Sequence, residues 1–302
     1  FYANNTASEV YGVFLDNNYS GTNGMPYYLS PTTNSHYTWS NQQIYEEFGT
    51  TDRFAWNPFD GNIADNKSGT ITSIDYTGIR TDEWHIYNAH SAVNDWAVGF
   101  NGAIQASTTT NTVQFNTASP PHIGARPGGG TPNIWNGSMP EFINYDRVLS
   151  TSEYQKVHSY LSLKYGITLN QILGEQSYLA SDSSLMWDAT GTATGSGQAQ
   201  EGYNNDIFGI GRDKASCLNQ QISKSVNDDA LITLSTDGDF TAANGTHAPI
   251  ATDFSFLTMA NNDGPQSYAD RLTKPADITA TNGVYEMERN WQVQREGTID
   301  AI

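Results

Sequence analysis

The feature that most constrains the fold is a single helix signature, at residues 150–166, in a chain whose other segments are turn-rich and β-like. Ser150-x-x-Glu153 is a capping box. In it the Ser hydroxyl accepts a backbone N–H of the first turn, and the Glu carboxylate accepts the N–H of the cap residue. Gly166 suits the left-handed position that ends a helix. The spacing therefore predicts one helix from about Thr151 to Gly166.

The predicted helix has a regular apolar stripe. Apolar side chains recur at steps of three and four, as one helical face requires, at Tyr154, Val157, Leu161 and Tyr165. Polar residues on the other faces are Gln155, Lys156, Ser159 and Ser162. The stripe must pack on something, and we expect the helix to lie against the side of a sheet.

Most of the remaining chain reads as short extended segments separated by turns. In the first half these segments are residues 10–15, 52–56, 69–76, 83–88, 96–100, 112–115 and 141–145. Asn101-Gly102 marks a hairpin turn, because both residues tolerate the left-handed backbone that such turns need. Further strands are expected at residues 218–226, 230–235, 254–259, 283–289 and 291–294, and a hairpin at 181–190.

This pattern predicts an all-β protein of two domains. Aromatic residues make up 12% of the chain and charged residues only 15%, so polarity is carried by residues that suit strands and turns. We expect a jelly roll with one flanking helix over residues 1–171 and a second β-sandwich over residues 172–302.

The charge balance excludes some partners. Lys and Arg number 14 against 32 Asp and Glu, which gives a net charge of −18. Nucleic acid and anionic membrane surfaces are therefore unsuitable partners, whereas cations are suitable ones. The acidic surface has two interpretations, calcium binding and simple solvation.

Three further observations concern disulfides, membrane insertion and the start of the sequence. Cys217 is the single cysteine, so no intramolecular disulfide can form, and it reads as a small buried apolar residue. No apolar run has the roughly 18 residues that a membrane span needs, so direct membrane insertion is not expected. The sequence opens at Phe1 without Met, which indicates a piece of a longer polypeptide.

Two segments have calcium-loop character. Asp16, Asn18 and Ser20 occupy alternate positions before Gly21, as in an EF-hand loop. The twelfth position is Tyr27, so the usual bidentate Glu is absent. Asp60, Asn62 and Asp65 have a similar pattern. Ordinary Asn/Gly turns are the favoured interpretation of these two segments, and calcium is the candidate cofactor in the alternative interpretation.

Three segments combine aromatic rings with carboxylates or amides. A sugar offers a C–H face for stacking and hydroxyls for hydrogen bonds, so this pairing is typical of carbohydrate sites. The candidate ligand-binding residues are Trp56, Asn57, Asp60, Asn94, Asp95, Trp96, Trp135 and Asn136. For Trp96, which opens a predicted strand, a place in the core is an equal alternative.

Catalytic motifs are absent from the sequence. A glucanase on a jelly roll needs paired carboxylates on one strand, and no Glu-x-Asp-x-x-Glu occurs. The six histidines show no zinc spacing, and there is no Gly-x-Ser-x-Gly elbow. We therefore expect a non-enzymatic protein, with glycoside hydrolysis as a weaker alternative.

Several blocks together carry a family resemblance. Residues 84–87, 100–102, 122–124, 136–137, 141–150 and 160–166 resemble a laminin-G-like, concanavalin A-like jelly roll of large bacterial surface proteins. Residues 204–213, 218–220, 223–226 and 229–231 are similar to the β-domain that often follows it. The resemblance implies that strands of a complete jelly roll precede Phe1 and that the second domain continues past Ile302.

The resemblance also implies a functional class. Such proteins are secreted or cell-surface adhesins or wall-associated enzymes. We expect a ligand-binding module of an adhesin that recognises carbohydrate with the help of calcium, with flanking domains of the same chain as further partners. The alternative is a structural spacer or assembly module that binds no small ligand.

Overall fold

The computed structural model describes residues 7–16, 24–28, 37–40, 55–57, 62–67, 70–75, 83–109, 122–123, 125–126, 133–134, 137–191, 202–266, 268–270 and 285–299. The chain divides into two compact units, Phe1–Tyr154 and Gln155–Ile302. The division lies inside the helix, earlier than the sequence-based boundary after residue 171. One reason is local: Gln155 Nε2 donates to Ser177 O at 2.8 Å, which ties the helix to the second unit.

The described part of the first unit is built of strands. They are β1 (Ala7–Asp16), β2 (Gly24–Tyr28), β3 (Tyr37–Ser40), β4 (Ala55–Asn57), β5 (Asn62–Lys67), β6 (Thr70–Asp75), β7 (His85–Ala92), β8 (Asp95–Phe100), β9 (Ala103–Thr108), β10 (His122–Ile123), β11 (Ala125–Arg126), β12 (Asn133–Ile134) and β13 (Gly137–Tyr145). They form a five-stranded sheet in the order β13-β1-β7-β8-β9, a six-stranded sheet in the order β10-β2-β3-β4-β5-β6, and the pair β11-β12. The predicted strand at residues 112–115 lies outside the described residues.

One hydrophobic cluster of this unit lies on one face of the five-stranded sheet. Alternation along β1 puts Val10 and Phe14 on that face, and register pairs Val10 with Ala89 of β7. Ala89 pairs in turn with Val98 of β8. The buried cluster consists of Val10, Phe14, Tyr87, Ala89, Trp96, Val98 and Phe100, with Met139 and Phe142 packed against it.

The turn between β8 and β9 follows from its sequence. Asn101 and Gly102 have φ values of 46° and 80°, the left-handed conformations that two-residue hairpin turns require. Asn101 also accepts the Ile86 N–H through its side chain at 2.8 Å, and its own N–H donates to Ile86 O at 2.8 Å. The predicted hairpin is confirmed.

Helix α1 spans Thr151–Tyr165, as predicted. The capping box forms: Ser150 N donates to Glu153 Oε2 at 2.9 Å, and Glu153 N donates to Ser150 Oγ at 3.4 Å. Arg147 binds the Glu153 carboxylate with both guanidinium nitrogens, at 2.9 and 2.7 Å. These bonds, from Arg147 first and then Ser150, lower the pKa of Glu153 to about 2. Gly166, with φ 67°, ends the helix.

The buried face of α1 differs from the predicted stripe. Ser159 and Ser162, expected on faces other than the apolar stripe, are both completely buried. Ser159 Oγ donates to Gln155 O at 2.7 Å and accepts the Leu179 N–H at 2.9 Å, and Ser162 Oγ donates to Ile167 O. Their small side chains let the helix approach its neighbours closely. Periodicity of apolar residues could not reveal this, because the contacts are hydrogen bonds.

The described strands of the second unit are, on average, shorter than those of the first unit. They are β14 (Tyr178–Leu179), β15 (Leu185–Trp187), β16 (Asn205–Asp213), β17 (Leu218–Gln220), β18 (Ile222–Lys224), β19 (Thr233–Ser235), β20 (Ser255–Asn261), β21 (Tyr268–Asp270), β22 (Tyr285–Met287) and β23 (Trp291–Glu296), with a 3-10 turn η1 (Asn244–Thr246). The main sheet has the order β17-β16-β20-β23. Strands β14 and β15 form the antiparallel pair around the hairpin expected there.

Strand β16 contains the block that supported the resemblance, and its residues have structural roles. A Cβ on Gly209 would lie 2.7 Å from Leu257 O and 3.0 Å from Leu163 Cδ1, so glycine permits both the strand pairing and the packing of α1. Asp213 accepts Ser181 N at 2.8 Å and Ser181 Oγ at 2.7 Å. Burial opposes ionisation of Asp213, yet these hydrogen bonds give it a pKa below the usual range.

The predicted fold class is confirmed: the chain is all-β with one flanking helix. Within the described ranges, none of its helices combines the length and the apolar character of a membrane-spanning segment.

Candidate functional site

One sequence candidate lies on an exposed turn of the first unit. Strands β7 and β8 are joined by Val93 and Asn94, between the paired residues Ala92 and Asp95. Asn94 has a φ of 60°, which Asn tolerates better than most residues. Val93, Asn94 and Asp95 are all exposed, so this end of the sheet presents an amide and a carboxylate to solvent.

The Asp95 carboxylate is held in place by a histidine. His90 Nε2 lies 3.0 Å from Asp95 Oδ1, and the Asp95 side chain is 56% exposed while that of His90 is 11% exposed. His90 is fixed by strand pairing with Glu9 of β1 and Ala97 of β8. The turn therefore offers hydrogen-bonding groups that need little ordering when a ligand binds.

The position of Trp96 differs from the prediction that its ring contacts a ligand. Its side chain is only 2% exposed and belongs to the apolar cluster of the sheet. Register explains the burial, since Trp96 pairs with Ser91 on β7 and with Thr108 on β9, in the middle of the sheet. Asp95, the residue before it, points to the opposite face. Trp96 therefore cannot serve as an exposed stacking platform.

The second candidate ligand-binding segment lies in part on paired strands. Trp56 and Asn57 are in β4, and Asn57 is the direct partner of Asn62 at the start of β5. The structure thus brings a predicted ligand residue next to a predicted calcium residue. Trp135, Asn136 and Asp60 lie outside the described residues, and their roles stay predictions.

The structure describes only some residues of the two candidate calcium segments. Asp16 is the last residue of β1, opposite Gly137, while Asn18 and Ser20 lie outside the described residues. Asn62 and Asp65 lie within strand β5; this extended backbone differs from the loop that their spacing indicates. In the described part of the chain, no group of three His, Cys, Asp or Glu residues is arranged to hold a metal ion.

Sequence reasoning missed a buried carboxylate in the first unit. Glu9 is completely buried. Its Oε1 accepts Tyr11 OH at 2.7 Å and Asn88 Nδ2 at 3.1 Å, and its Oε2 accepts Leu149 N at 2.6 Å. Burial, followed by the Glu9 charge, raises the pKa of Tyr11 well above its usual range. The sequence signal for this buried carboxylate is a charged residue inside the apolar run of β1.

A second missed cluster surrounds Arg289, which is 6% exposed. The guanidinium donates to Gly264 O at 2.7 Å and pairs with the Asp229 carboxylate at 2.8 Å. Asp206 lies 3.7 Å away and itself accepts Asn261 Nδ2 at 2.6 Å. This arrangement links three loops at one end of the β16 sheet. Arg289 supplies the positive charge there, so the cluster reads as structural.

The fold and these sites define a class: an all-β protein of two units, with an exposed polar turn on the first and internally satisfied polar clusters. A family described as "Domain of unknown function (DUF8202)" matches residues 153–302. No curated protein matches the sequence.

Solved structures give distant likenesses. A sialidase from Trypanosoma rangeli is 11% identical, with a TM-score of 0.37, and the match covers 56% of this chain and 24% of that one. A pentraxin from Limulus polyphemus is 16% identical, with a TM-score of 0.34, covering 62% and 84%. Domains LG4-5 of the mouse laminin alpha1 chain are 11% identical, with a TM-score of 0.27, covering 48% and 38%. The chain thus spans about a quarter of the length of the sialidase, and likenesses this weak transfer no function.

Proposed function

We propose that the chain is a carbohydrate-binding module of a large secreted bacterial surface protein of the adhesin type. The observation that carries the proposal is the exposed Asn94–Asp95 turn, whose carboxylate is fixed by His90 at 3.0 Å. A fixed carboxylate accepts two sugar hydroxyls well, and a neighbouring amide can both donate and accept. Trp56 and Trp135 remain the predicted stacking residues for the sugar face.

The charge of the protein narrows the ligand class. With a net charge of −18, the surface repels phosphate and sulfate groups at long range. Neutral sugars avoid this penalty, and bound calcium would offset it locally. We therefore propose neutral glycans as ligands and place calcium dependence with the segments at Asp16 and Asp60. Location at the cell surface and flanking domains belong to the same proposal.

A glycan array tests the proposal. The intact chain is applied in calcium and again with a chelator, beside the variants Asn94→Ala and Asp95→Ala. Asp146→Ala serves as the matched control, because Asp146 is an exposed acid of the same unit. We expect both turn variants to lose glycan signal and the control to retain it. Silence of the intact chain across a broad array in calcium would refute carbohydrate binding.

The second candidate function is a structural spacer or assembly module. This function is favoured because several charged side chains bind groups within their own unit. These side chains are Glu9, Asp206, Asp213 and Arg289. A spacer needs stability and no ligand. An array with no signal, combined with self-association in sedimentation experiments, would support this function over the first.

A further inference from the structure

The loop that follows β19 in the second unit is held together by one aspartate. Asp237 Oδ1 lies 2.8 Å from His247 Nδ1 and 3.0 Å from Ser235 Oγ, and it accepts Asp239 N at 3.1 Å. Asp237 Oδ2 accepts Ala248 N at 3.0 Å. The carboxylate therefore joins the two ends of the loop 235–248.

His247 fixes the loop from the inside. Its side chain has no exposed surface, and its second ring nitrogen, Nε2, lies 3.1 Å from Ala242 O. Because both ring nitrogens face acceptors, the charged imidazolium satisfies them best. The hydrogen bond between His247 and Asp237 is the main cause that raises the pKa of His247, and the same bond lowers the pKa of Asp237. Both pKa shifts therefore favour the charged form of the pair.

The tip of this loop leaves an aromatic ring in solvent. Asp239 Oδ1 accepts Thr241 N at 2.8 Å, Thr241 Oγ1 at 2.9 Å and Ala242 N at 3.2 Å. These bonds bend the chain around Phe240, which is 58% exposed. The space beside Gly238 is open, with no atom within 4 Å of a Cβ built there. The loop is therefore ordered by its polar groups, and the ring is not needed to hold it.

We infer that Phe240 and Asp239 form a second carbohydrate-contact site, in the C-terminal unit; this inference rests on the proposed carbohydrate-binding function. The phenyl ring supplies a face for the C–H side of a pyranose. Among the described residues no hydrogen bond involves Asp239 Oδ2, so this oxygen can accept sugar hydroxyls. Both groups belong to a loop that is already in place, which lowers the ordering cost of binding.

The charges of the loop favour a neutral sugar over a basic peptide. His247 pairs directly with Asp237 at 2.8 Å, whereas no ion pair within 4.0 Å involves Asp239 among the described residues. A single acceptor beside a ring matches a sugar ring with hydroxyls. A basic peptide is the other ligand with a cation for the ring face, and the experiment below separates the two.

The test uses the intact chain and the glycan that gives the strongest array signal. Affinity is measured by calorimetry for the wild type, Phe240→Ala and Asp239→Asn, with Leu231→Ala as control. Leu231 is another exposed apolar residue of the same unit, at 49% exposure. We expect each loop variant to weaken binding about tenfold, in line with the loss of a stacking or charge-assisted contact, and the control to leave it unchanged. Thermal melting of each variant shows that the fold is intact.

The outcomes separate this inference from the proposed function. If Asp95→Ala abolishes binding while Phe240→Ala and Asp239→Asn bind as the wild type does, the second site is refuted and the first stands. If no glycan binds the wild type, the proposed function fails. If a lysine- and arginine-rich peptide shifts the Phe240 amide resonance and the glycan does not, the loop recognises cations and the inference is wrong.

Discussion

Replacement of the buried Glu9 by glutamine should destabilise the first unit strongly. The Glu9 carboxylate accepts three hydrogen bonds, from Tyr11 OH, Asn88 Nδ2 and Leu149 N, at 2.6–3.1 Å. Glutamine keeps the shape but turns one acceptor oxygen into an NH₂ donor. In one orientation this donor meets the Leu149 N–H, and in the other it meets the Asn88 amide, so at least one buried donor loses its partner.

The expected magnitude follows from these contacts. An unsatisfied buried donor costs about 1–3 kcal/mol, and hydrogen bonds to a charged acceptor exceed neutral ones by about 1 kcal/mol. Glu9→Gln should therefore lower the free energy of unfolding by about 2–4 kcal/mol. With a urea slope of about 2 kcal/mol/M, the unfolding midpoint would fall by about 1–2 M.

Urea unfolding, followed by tryptophan fluorescence and far-ultraviolet circular dichroism, measures this change. Asp146→Asn is the control, an acid-to-amide change at an exposed site of the same unit, for which a shift within about 0.5 kcal/mol is expected. If Glu9→Gln behaves like this control, the three hydrogen bonds do not stabilise the unit and the reasoning is refuted.

Two further predictions concern the second unit. Gly166→Ala should lower its melting temperature by several degrees, because Gly166 has a φ of 67° and a new Cβ would overlap Lys224 O; an unchanged melting curve would contradict this. The loop closed by His247 should loosen as pH rises through the raised pKa of this group, because the neutral imidazole loses its charge and can donate to only one of Asp237 and Ala242 O. Hydrogen exchange near Ala242, measured from pH 6 to pH 10 and corrected for intrinsic rates, should show loss of protection, and His247→Gln should remove the pH dependence.

Local chemistry explains the features that the sequence predicts correctly. The limits of α1 follow from Ser150, Glu153 and Gly166, all within one short stretch, and the Asn101-Gly102 turn follows from two adjacent residues. Such signals act through backbone geometry over a few residues and need no knowledge of distant partners. The all-β class rests on the same kind of local pattern.

Distant contacts explain what the sequence does not reveal. Glu9 and Leu149 are 140 residues apart, so no local pattern could indicate their hydrogen bond. The burial of Trp96 depends on which strands flank β8, which is a property of the sheet order. The sequence indicates Asn94 and Asp95 as candidates because residue type is local information, whereas their turn and its contact with His90 depend on the pairing of β7 and β8.

The buried serines of α1 affect how specifically the helix is positioned. Contacts between apolar surfaces depend little on their exact position, because any overlap that buries a similar area gives a similar free energy. Ser159 and Ser162 are different, because each hydroxyl fits one particular backbone group. The bonds to Gln155 O and Ile167 O stay within the helix and its continuation, whereas the bond from Leu179 N joins the helix to β14 and would break if the helix shifted by one turn. The Ser159 hydroxyl thus favours one position of the helix against β14 over others that would bury a similar apolar area.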